Sequence, residues 1–163
     1  MMKSLFRFLL FTVIAVSFFS CDKNRVFEKN ISIDNYLWYS KNQLKFEVSV
    51  NDTSAYYNVY FNVRHASVYP YSNLWLMVTT TSPDGKQERQ RVEIPLSTDD
   101  GSWFGEGMGD IWDYKFLAQQ NAFFNQKGVY SFTFEQIMRQ DPLPGIMDMG
   151  VRVEKTISTE DKN

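Results

Sequence analysis

The sequence predicts an all-β fold: an antiparallel β-sandwich, jelly-roll-like, that follows a cleaved lipoprotein signal peptide. Apolar and polar residues alternate with a period of two in several short segments, and turn residues separate these segments. No convincing helix longer than two turns interrupts them. Seven to nine strands spaced in this way favour a sandwich over a closed barrel. We expect the sandwich to cover residues 31–158 and a polar tail to follow at residues 159–163.

Residues 1–20 are predicted to be a secretory signal peptide. A short cationic start precedes an apolar run at residues 8–19, which is shorter than the roughly 20 residues that a membrane-spanning helix needs. Cys21 follows Ser20 directly and is the only cysteine in the chain, so it has no partner for an internal disulfide. Its position matches the acylated cysteine of bacterial lipoproteins, with cleavage between Ser20 and Cys21. The alternative is a free thiol placed there by coincidence.

Acyl chains such as palmitate on Cys21 would attach the protein to a membrane, and residues 21–30 are expected to carry the lipid and form a short tether. No acidic cluster follows the cysteine. Surface-exported lipoproteins of Bacteroidetes commonly carry such a cluster. By analogy, we expect an outer-membrane anchor with the domain facing the periplasm.

The first strands are predicted from their alternation. Residues 44–50 and 57–65 each place apolar side chains on one face, and the polar turn between them predicts that they pair as a hairpin. Residues 74–81 are apolar on both faces, which favours a central position in a sheet. A Pro-Asp-Gly turn then leads into residues 87–96, which predicts a second hairpin. Because Pro95 lacks an N–H, the end of that strand should lie at an edge or a bulge.

The second half of the chain is less regular. Residues 99–110 contain four of the eight glycines, match no phosphate-binding motif and are predicted to form an irregular loop. Residues 111–124 fit a strand and a helix by periodicity, and we expect a bulged strand. Residues 129–135 alternate cleanly after a Lys-Gly turn, and residues 150–157 are predicted to be the last strand.

Composition and single residues restrict the chemistry. The chain has 163 residues, 44% of them hydrophobic, and a formal net charge of -2, which argues against disorder and against a nucleic-acid partner. His65 is the only histidine, and we interpret it as a hydrogen-bonded strand residue with no catalytic role. We expect no enzymatic activity and no cofactor. A weak calcium candidate is the set Asp99, Asp100 and Asp110, although a solvated acidic loop is the simpler interpretation.

Aromatic residues offer a second possible chemistry. Several are expected on the outer strand face or in loops, namely Tyr56, Tyr60, Tyr69, Tyr71, Trp103 and Phe104. Flat aromatic surface with a polar edge suits both sugar stacking and protein interfaces. An envelope-anchored carbohydrate-binding module is therefore an alternative function. The plainer interpretation is that the strand aromatics cover the second sheet.

Two segments carry a resemblance to a known family. They are HASVYPYSNL at residues 65–74 and QIMRQDPLPGIMDMGVRVEK at residues 136–155. With the signal peptide, the Pro-Asp-Gly hairpin and the glycine-rich loop in the same order, they resemble the gliding-motility lipoprotein GldH family of Bacteroidetes over essentially the whole mature chain. The resemblance implies a non-enzymatic lipoprotein that works with partner lipoproteins and the type IX secretion apparatus in gliding and adhesin delivery.

The proline-containing loops in these segments are candidates for recognition. Proline limits the backbone of residues 69–71 and 141–145 to extended or turn conformations, and stiff loops lower the ordering cost of docking a partner. The candidate partner-binding residues are Arg64, His65, Tyr69, Tyr71 and Asn73.

Overall fold

The computed structural model describes residues 24–156. The predicted signal peptide at residues 1–20, Cys21 with its cleavage bond to Ser20, and the polar tail at residues 159–163 lie outside the described residues. Within the described part, the regular elements are strands and a single short 3-10 turn at Asp34–Tyr36.

Eleven strands make up the described part of the chain. They are β1 (Arg25–Ser32), β2 (Leu37–Trp38), β3 (Leu44–Val50), β4 (Tyr56–Ala66), β5 (Asn73–Thr81), β6 (Gln87–Pro95), β7 (Glu106–Met108), β8 (Ile111–Phe123), β9 (Gly128–Gln136), β10 (Leu143–Pro144) and β11 (Ile146–Lys155). Three of these, β2, β7 and β10, have only two or three residues. The eight longer strands agree with the expected seven to nine.

The strands form two main antiparallel sheets that pack face to face. The five-stranded sheet has the order β1-β11-β4-β8-β7, the four-stranded sheet has the order β3-β9-β5-β6, and β2 pairs with β10 in a small ribbon. Between the two main sheets, the Phe134 ring of β9 lies 4.6 Å from the Phe61 ring of β4. The all-β sandwich is therefore confirmed.

The alternation seen in the sequence decides which side chains enter this core. In β4, Tyr57, Val59, Phe61 and Val63 are buried and the residues between them are more exposed. Successive side chains of a strand point to opposite faces, so one face of β4 is core and the other faces outward. The inward-facing residues of β3, β5 and β9 follow the same rule.

The two predicted hairpins have different outcomes. Strands β5 and β6 pair as expected, with a turn in which Gly85 N donates to Ser82 O and Gly85 has a φ of 85°. Strand β5 is central, and Pro95 ends the edge strand β6. The hairpin of β3 with β4 is wrong, because β3 pairs with β9 and β4 pairs with β11 and β8. The connection at residues 51–55 crosses from one sheet to the other instead of closing a ribbon.

The expected tether and the expected irregular loop also need correction. Residues 25–30 belong to β1, which pairs with β11 at the edge of the five-stranded sheet. Only Phe27 and Ile31 of β1 pack against the core. The segment therefore lacks the alternation of apolar and polar residues that predicts a strand. Within residues 99–110, β7 pairs with the start of β8. Strand β8 itself is bulged opposite Val59, as predicted.

Candidate functional site

A groove of about 500 Å³ lies on the outer face of the five-stranded sheet, towards the end of the sandwich where β4 finishes. Strands β1, β4, β8 and β11 and the start of β7 contribute to it. Its charged lining consists of Glu28, Arg64, Glu106, Asp113, Lys115 and Asp148. Four carboxylates against two cations make the lining acidic overall.

Arg64 occupies the middle of this lining. Its Nε lies 2.7 Å from Asp113 Oδ1 and its Nη2 lies 3.1 Å from Asp113 Oδ2, which is a two-point ion pair. On the other side, Arg64 Nη1 lies 3.5 Å from Asp148 Oδ2. Asp113 and Asp148 are the cross-strand neighbours of Arg64 in β8 and β11. The sheet register therefore holds the guanidinium between two carboxylates.

The neighbours of Arg64 change the pKa of its guanidinium group. The hydrogen bond to Asp113 raises the pKa of Arg64 above its ordinary value, against a smaller opposing effect of burial. About half of the Arg64 side chain remains exposed. Pairs as exposed as this one contribute at most about 1 kcal/mol to stability, because water screens them. Their main effect is to orient the charges.

A second set of ion pairs continues across β1 and β11. Arg152 Nη1 lies 2.8 Å from Glu28 Oε2, and Arg25 Nη1 lies 3.0 Å from the same oxygen. Burial raises the pKa of Glu28, but the hydrogen bond from Arg25 and the charge of Arg152 outweigh it and lower that pKa. Glu28 Oε1 also accepts a hydrogen bond of 3.1 Å from Asn62 Nδ2. The groove is thus bordered by side chains in defined orientations.

His65, the next residue after Arg64, points to the opposite face. It is 0% exposed, with Nδ1 3.1 Å from the carbonyl oxygen of Ala66, so Nδ1 carries the proton and donates. Burial lowers the pKa of His65, against a smaller effect of the Ala66 bond. Its ring lies 4.6 Å from that of Trp103. The interpretation of His65 as a hydrogen-bonded strand residue is confirmed.

The two segments that carry the family resemblance meet at the end of the sandwich to which β4 runs. The Tyr71 hydroxyl donates to Gln140 Oε1 at 3.0 Å, and the Tyr69 hydroxyl donates to the Asn73 carbonyl at 2.8 Å. Gly145, with a φ of 87°, lies against Tyr69 so closely that a Cβ there would be 3.0 Å from Tyr69 Cα. The two proline-containing loops therefore support each other.

The structure separates the five candidate partner-binding residues. Arg64 reaches the groove, and Tyr71 and Asn73 are half-buried. His65 and Tyr69 are buried, so neither presents a surface to a docked protein, and the candidate set is corrected by their removal. Asp113 and Asp148 face Arg64, and neither pairing was predicted from the sequence. Alternation in β8 was a signal for Asp113, whereas the irregular pattern at the start of β11 gave none for Asp148.

The candidate aromatic surface is not continuous. Tyr69 is buried, Tyr71 contacts it, and the Trp103 ring packs on His65. Phe104 stacks on Tyr114, and the Tyr60 ring lies beneath Lys115 Nζ at 4.7 Å. Tyr56 alone of the six is more than half exposed. No flat platform for sugar stacking forms from these residues.

The acidic loop does not assemble a cation site in the described part of the chain. Residues 24–156 contain no group of three or more His, Cys, Asp or Glu side chains that could hold a metal ion, so Asp99, Asp100 and Asp110 do not form the weak calcium site considered above. Asp100 instead accepts hydrogen bonds from Thr98 Oγ1 and from Ser102 N in a local turn. Across the same residues, none of the helical segments has the length and apolar character to cross a membrane.

Comparison with known proteins gives a family match. The model of a family described as GldH lipoprotein matches residues 25–153. The gliding motility lipoprotein GldH homolog of Christiangramia forsetii is 32% identical over 162 residues, which is 95% of this chain and 99% of that protein. The gliding motility lipoprotein GldH of Flavobacterium johnsoniae is 32% identical over 148 residues, which is 86% of this chain and 91% of that protein.

Among solved structures, a chain from the structure of infectious bursal disease virus, Gx strain, aligns with a TM-score of 0.34 and 10% identity. The alignment covers 85% of this chain and 34% of the viral chain. A score this low supports no conclusion about fold or function.

Proposed function

The chain belongs to the GldH lipoprotein family, and on that premise we propose that it is a non-catalytic cell-envelope lipoprotein of the gliding motility and type IX secretion machinery, acting through protein contacts. Acyl chains on Cys21 hold it in the outer membrane with the domain in the periplasm. Its partners are other lipoproteins and envelope proteins of the same machinery. The two curated relatives, both named for gliding motility, support this assignment.

The position of Arg64 between Asp113 and Asp148 is the observation that supports protein contact most directly. Side chains held by cross-strand pairing keep their orientation before a partner arrives, so little ordering is left to do on docking. Complementary charges at an interface supply specificity and speed of association more than raw affinity. The carboxylates of the lining, which pair with arginine side chains in the free protein, match a partner segment that carries Lys or Arg.

The environment of His65 supports the non-catalytic part of the proposal. A histidine acting as a general base must reach a substrate, directly or through one water. His65 is buried in the core, and its ring contacts the rings of Trp103 and Tyr69. The surface groove is instead lined by mutually paired charges.

The proposed function is tested by complementation in a gliding bacterium of this family that lacks its own copy. Four full-length chains are compared: the natural one, Cys21→Ser, Arg64→Ala and Arg89→Ala. Arg89 is the matched control, because it is an exposed arginine in an ion pair with Glu135 on the outer face of the other sheet. Acylation, colony spreading, adhesin secretion and co-purified envelope proteins are scored together.

The natural chain and Arg89→Ala are expected to restore spreading and secretion. Cys21→Ser should lose acylation and both activities, and Arg64→Ala should keep acylation but lose co-purified partners. If no chain restores either activity while all are folded and abundant, the machinery role is wrong. If Arg64→Ala behaves like Arg89→Ala, the groove is not the contact surface.

A further inference from the structure

The chain enters the sandwich at one end of the five-stranded sheet, and the strand register places two aromatic residues at that same end. Lys155 N donates to Asn24 O at 2.8 Å, and Thr156 N donates to Tyr56 O at 2.8 Å. Tyr56 in turn faces Phe123 across β4 and β8. These contacts form one row across four neighbouring chain segments. At about 4.8 Å per step, Phe123 lies roughly 15 Å from Asn24.

Tyr56 and Phe123 form an exposed aromatic pair on the surface of the sandwich. Their side chains are 56% and 57% exposed, and their rings lie 5.8 Å apart. Their neighbours Tyr57 and Ala122 are buried, so the pair projects from the outer face of the sheet. A tyrosine combines an apolar ring with a polar tip and therefore suits the boundary between water and the apolar part of a membrane.

The length of chain before the domain limits how far this end can lie from the lipid. Only two residues lie between Cys21 and Asn24, and the three steps from Cys21 to Asn24 span at most about 11 Å of extended chain. If Cys21 is acylated, as the proposed function requires, the end of the sheet with Tyr56 and Phe123 is held next to the headgroups.

This end of the sandwich carries both acidic residues, Asp52 and Asp84, and exposed lysines, and the lysines are the groups that a lipid surface attracts. Lys86 and Lys127 are exposed in the turns that follow β5 and β8, and the two turns are joined by a hydrogen bond from Gln126 Nε2 to Asp84 Oδ2 at 3.0 Å. Lysine near a membrane surface is attracted to anionic headgroups.

We propose that Tyr56 and Phe123 form a second, non-covalent membrane contact, which inserts into the headgroup layer of the bilayer that holds Cys21. The inference rests on the proposed acylation of Cys21. The contact fixes the orientation of the sandwich. Arg64 lies eight residues from Tyr56 along β4, so the groove lies about 26 Å along the strand from this contact and stays open to partners.

The test uses the full acylated chain in vesicles of phosphatidylethanolamine and phosphatidylglycerol. Because Cys21 is the only cysteine and its sulfur carries the lipid, a Gln120→Cys substitution provides a single thiol for a nitroxide label at an exposed position of β8, three residues before Phe123. The ratio of oxygen to nickel-chelate collision rates then reports the depth of the label. Mass spectrometry measures acylation of Cys21 in the same sample.

Two double variants are compared in this labelled background. Tyr56→Ser with Phe123→Ser removes the proposed contact. Tyr39→Ser with Met108→Ser is the matched control, because both residues are exposed at the opposite end of the sandwich. Near-ultraviolet circular dichroism checks that each variant keeps its tertiary packing.

We expect the collision ratio to be several-fold above that of water in the natural background and in the control, and to fall to the water value in Tyr56→Ser with Phe123→Ser. A water-like ratio in the natural acylated chain overturns the inference without any substitution and leaves a protein partner as the occupant of the pair. Equal ratios in all three backgrounds also overturn it. Absence of acyl mass on Cys21 overturns the anchored function and this inference together.

Discussion

Arg64 and Asp113 face each other across β4 and β8, with Nε 2.7 Å from Oδ1 and Nη2 3.1 Å from Oδ2. The pair lies on the outer face of the five-stranded sheet, and His65, the next residue, is buried on the inner face. One strand thus contributes both a surface charge and a core ring. Substitutions at these two neighbouring positions should therefore act on different properties.

Removal of the Arg64 pair should change stability little. In a double-mutant cycle of Arg64→Ala and Asp113→Ala, we expect a coupling of about 0.5–1 kcal/mol in the free energy of unfolding, because exposed pairs are screened by water. Urea unfolding of the four proteins measures it. The cycle of Arg89→Ala with Glu135→Ala, whose atoms are 3.5 Å apart, should give a smaller value. A coupling above about 3 kcal/mol would contradict a surface role.

Phe134 should be among the most sensitive core positions. Its ring is 0% exposed and lies within 5.1 Å of Phe46 and 4.6 Å of Phe61. We expect Phe134→Ala to lower the free energy of unfolding by about 3–5 kcal/mol, through lost burial and a cavity. The exposed Phe123→Ala is the matched control and should cost less than about 0.5 kcal/mol. Thermal melts rank the two, and similar losses would show that the sandwich core is assigned wrongly.

Acid should destabilise the fold through His65. Burial lowers the pKa of His65 in the folded state below its ordinary value of 6.5, so the unfolded chain binds more protons near and below that pH. This contribution is fully present above pH 6.5 and is lost as the pH falls towards the folded pKa. Urea midpoints at pH 7.5 and pH 5 should differ more in the natural chain than in His65→Gln.

Carboxylates also titrate between these pH values. Because the natural chain and His65→Gln have the same carboxylates, their effects on the urea midpoints cancel in the comparison. Asp113 is the charged group that favours protonation of His65, so Asp113→Asn should shift the effect slightly towards lower pH. An identical pH dependence in the natural chain and His65→Gln would refute the assignment.

Gly145 and Gly85 separate two causes of strain. The backbone φ is 87° at Gly145 and 85° at Gly85. A Cβ added at Gly145 would lie 3.0 Å from Tyr69 Cα, whereas a Cβ added at Gly85 would have no atom within 4 Å. Gly85→Ala should therefore cost only the backbone term of about 1 kcal/mol. Gly145→Ala should cost more, because the two proline-containing loops must move apart. Equal losses in chemical denaturation would mean that the loops are not in firm contact.

Local alternation was enough to predict most of the strands and their buried faces. The positions of Phe46, Phe61 and Phe134 in their strands follow from a period of two, which depends only on neighbouring residues. The central position of β5, the Pro-Asp-Gly hairpin and the bulge of β8 also have local causes. The edge strand β1 was missed because an edge strand with few core contacts carries little apolar signal.

Strand pairing depends on the whole fold. Any strand with one apolar face can cover the same core, so alternation could not show that β3 pairs with β9 and that β4 lies in the other sheet. The candidate site likewise combines a feature that local alternation predicts with one that strand pairing decides. Arg64 was visible as an outward residue of its strand, whereas its partner Asp113 comes from 49 residues further along the chain.

The chain's own residues thus determined its class, its strands, the side of each strand that is buried and its family resemblance, because each depends on short-range spacing or on motif order. Only the folded arrangement decided that Tyr69 is sealed in the core, that Asp113 and Asp148 enclose Arg64, and that Tyr56 and Phe123 share an end with Asn24. These relations join residues that are distant in sequence, and the pairing of strands across the sheets creates them.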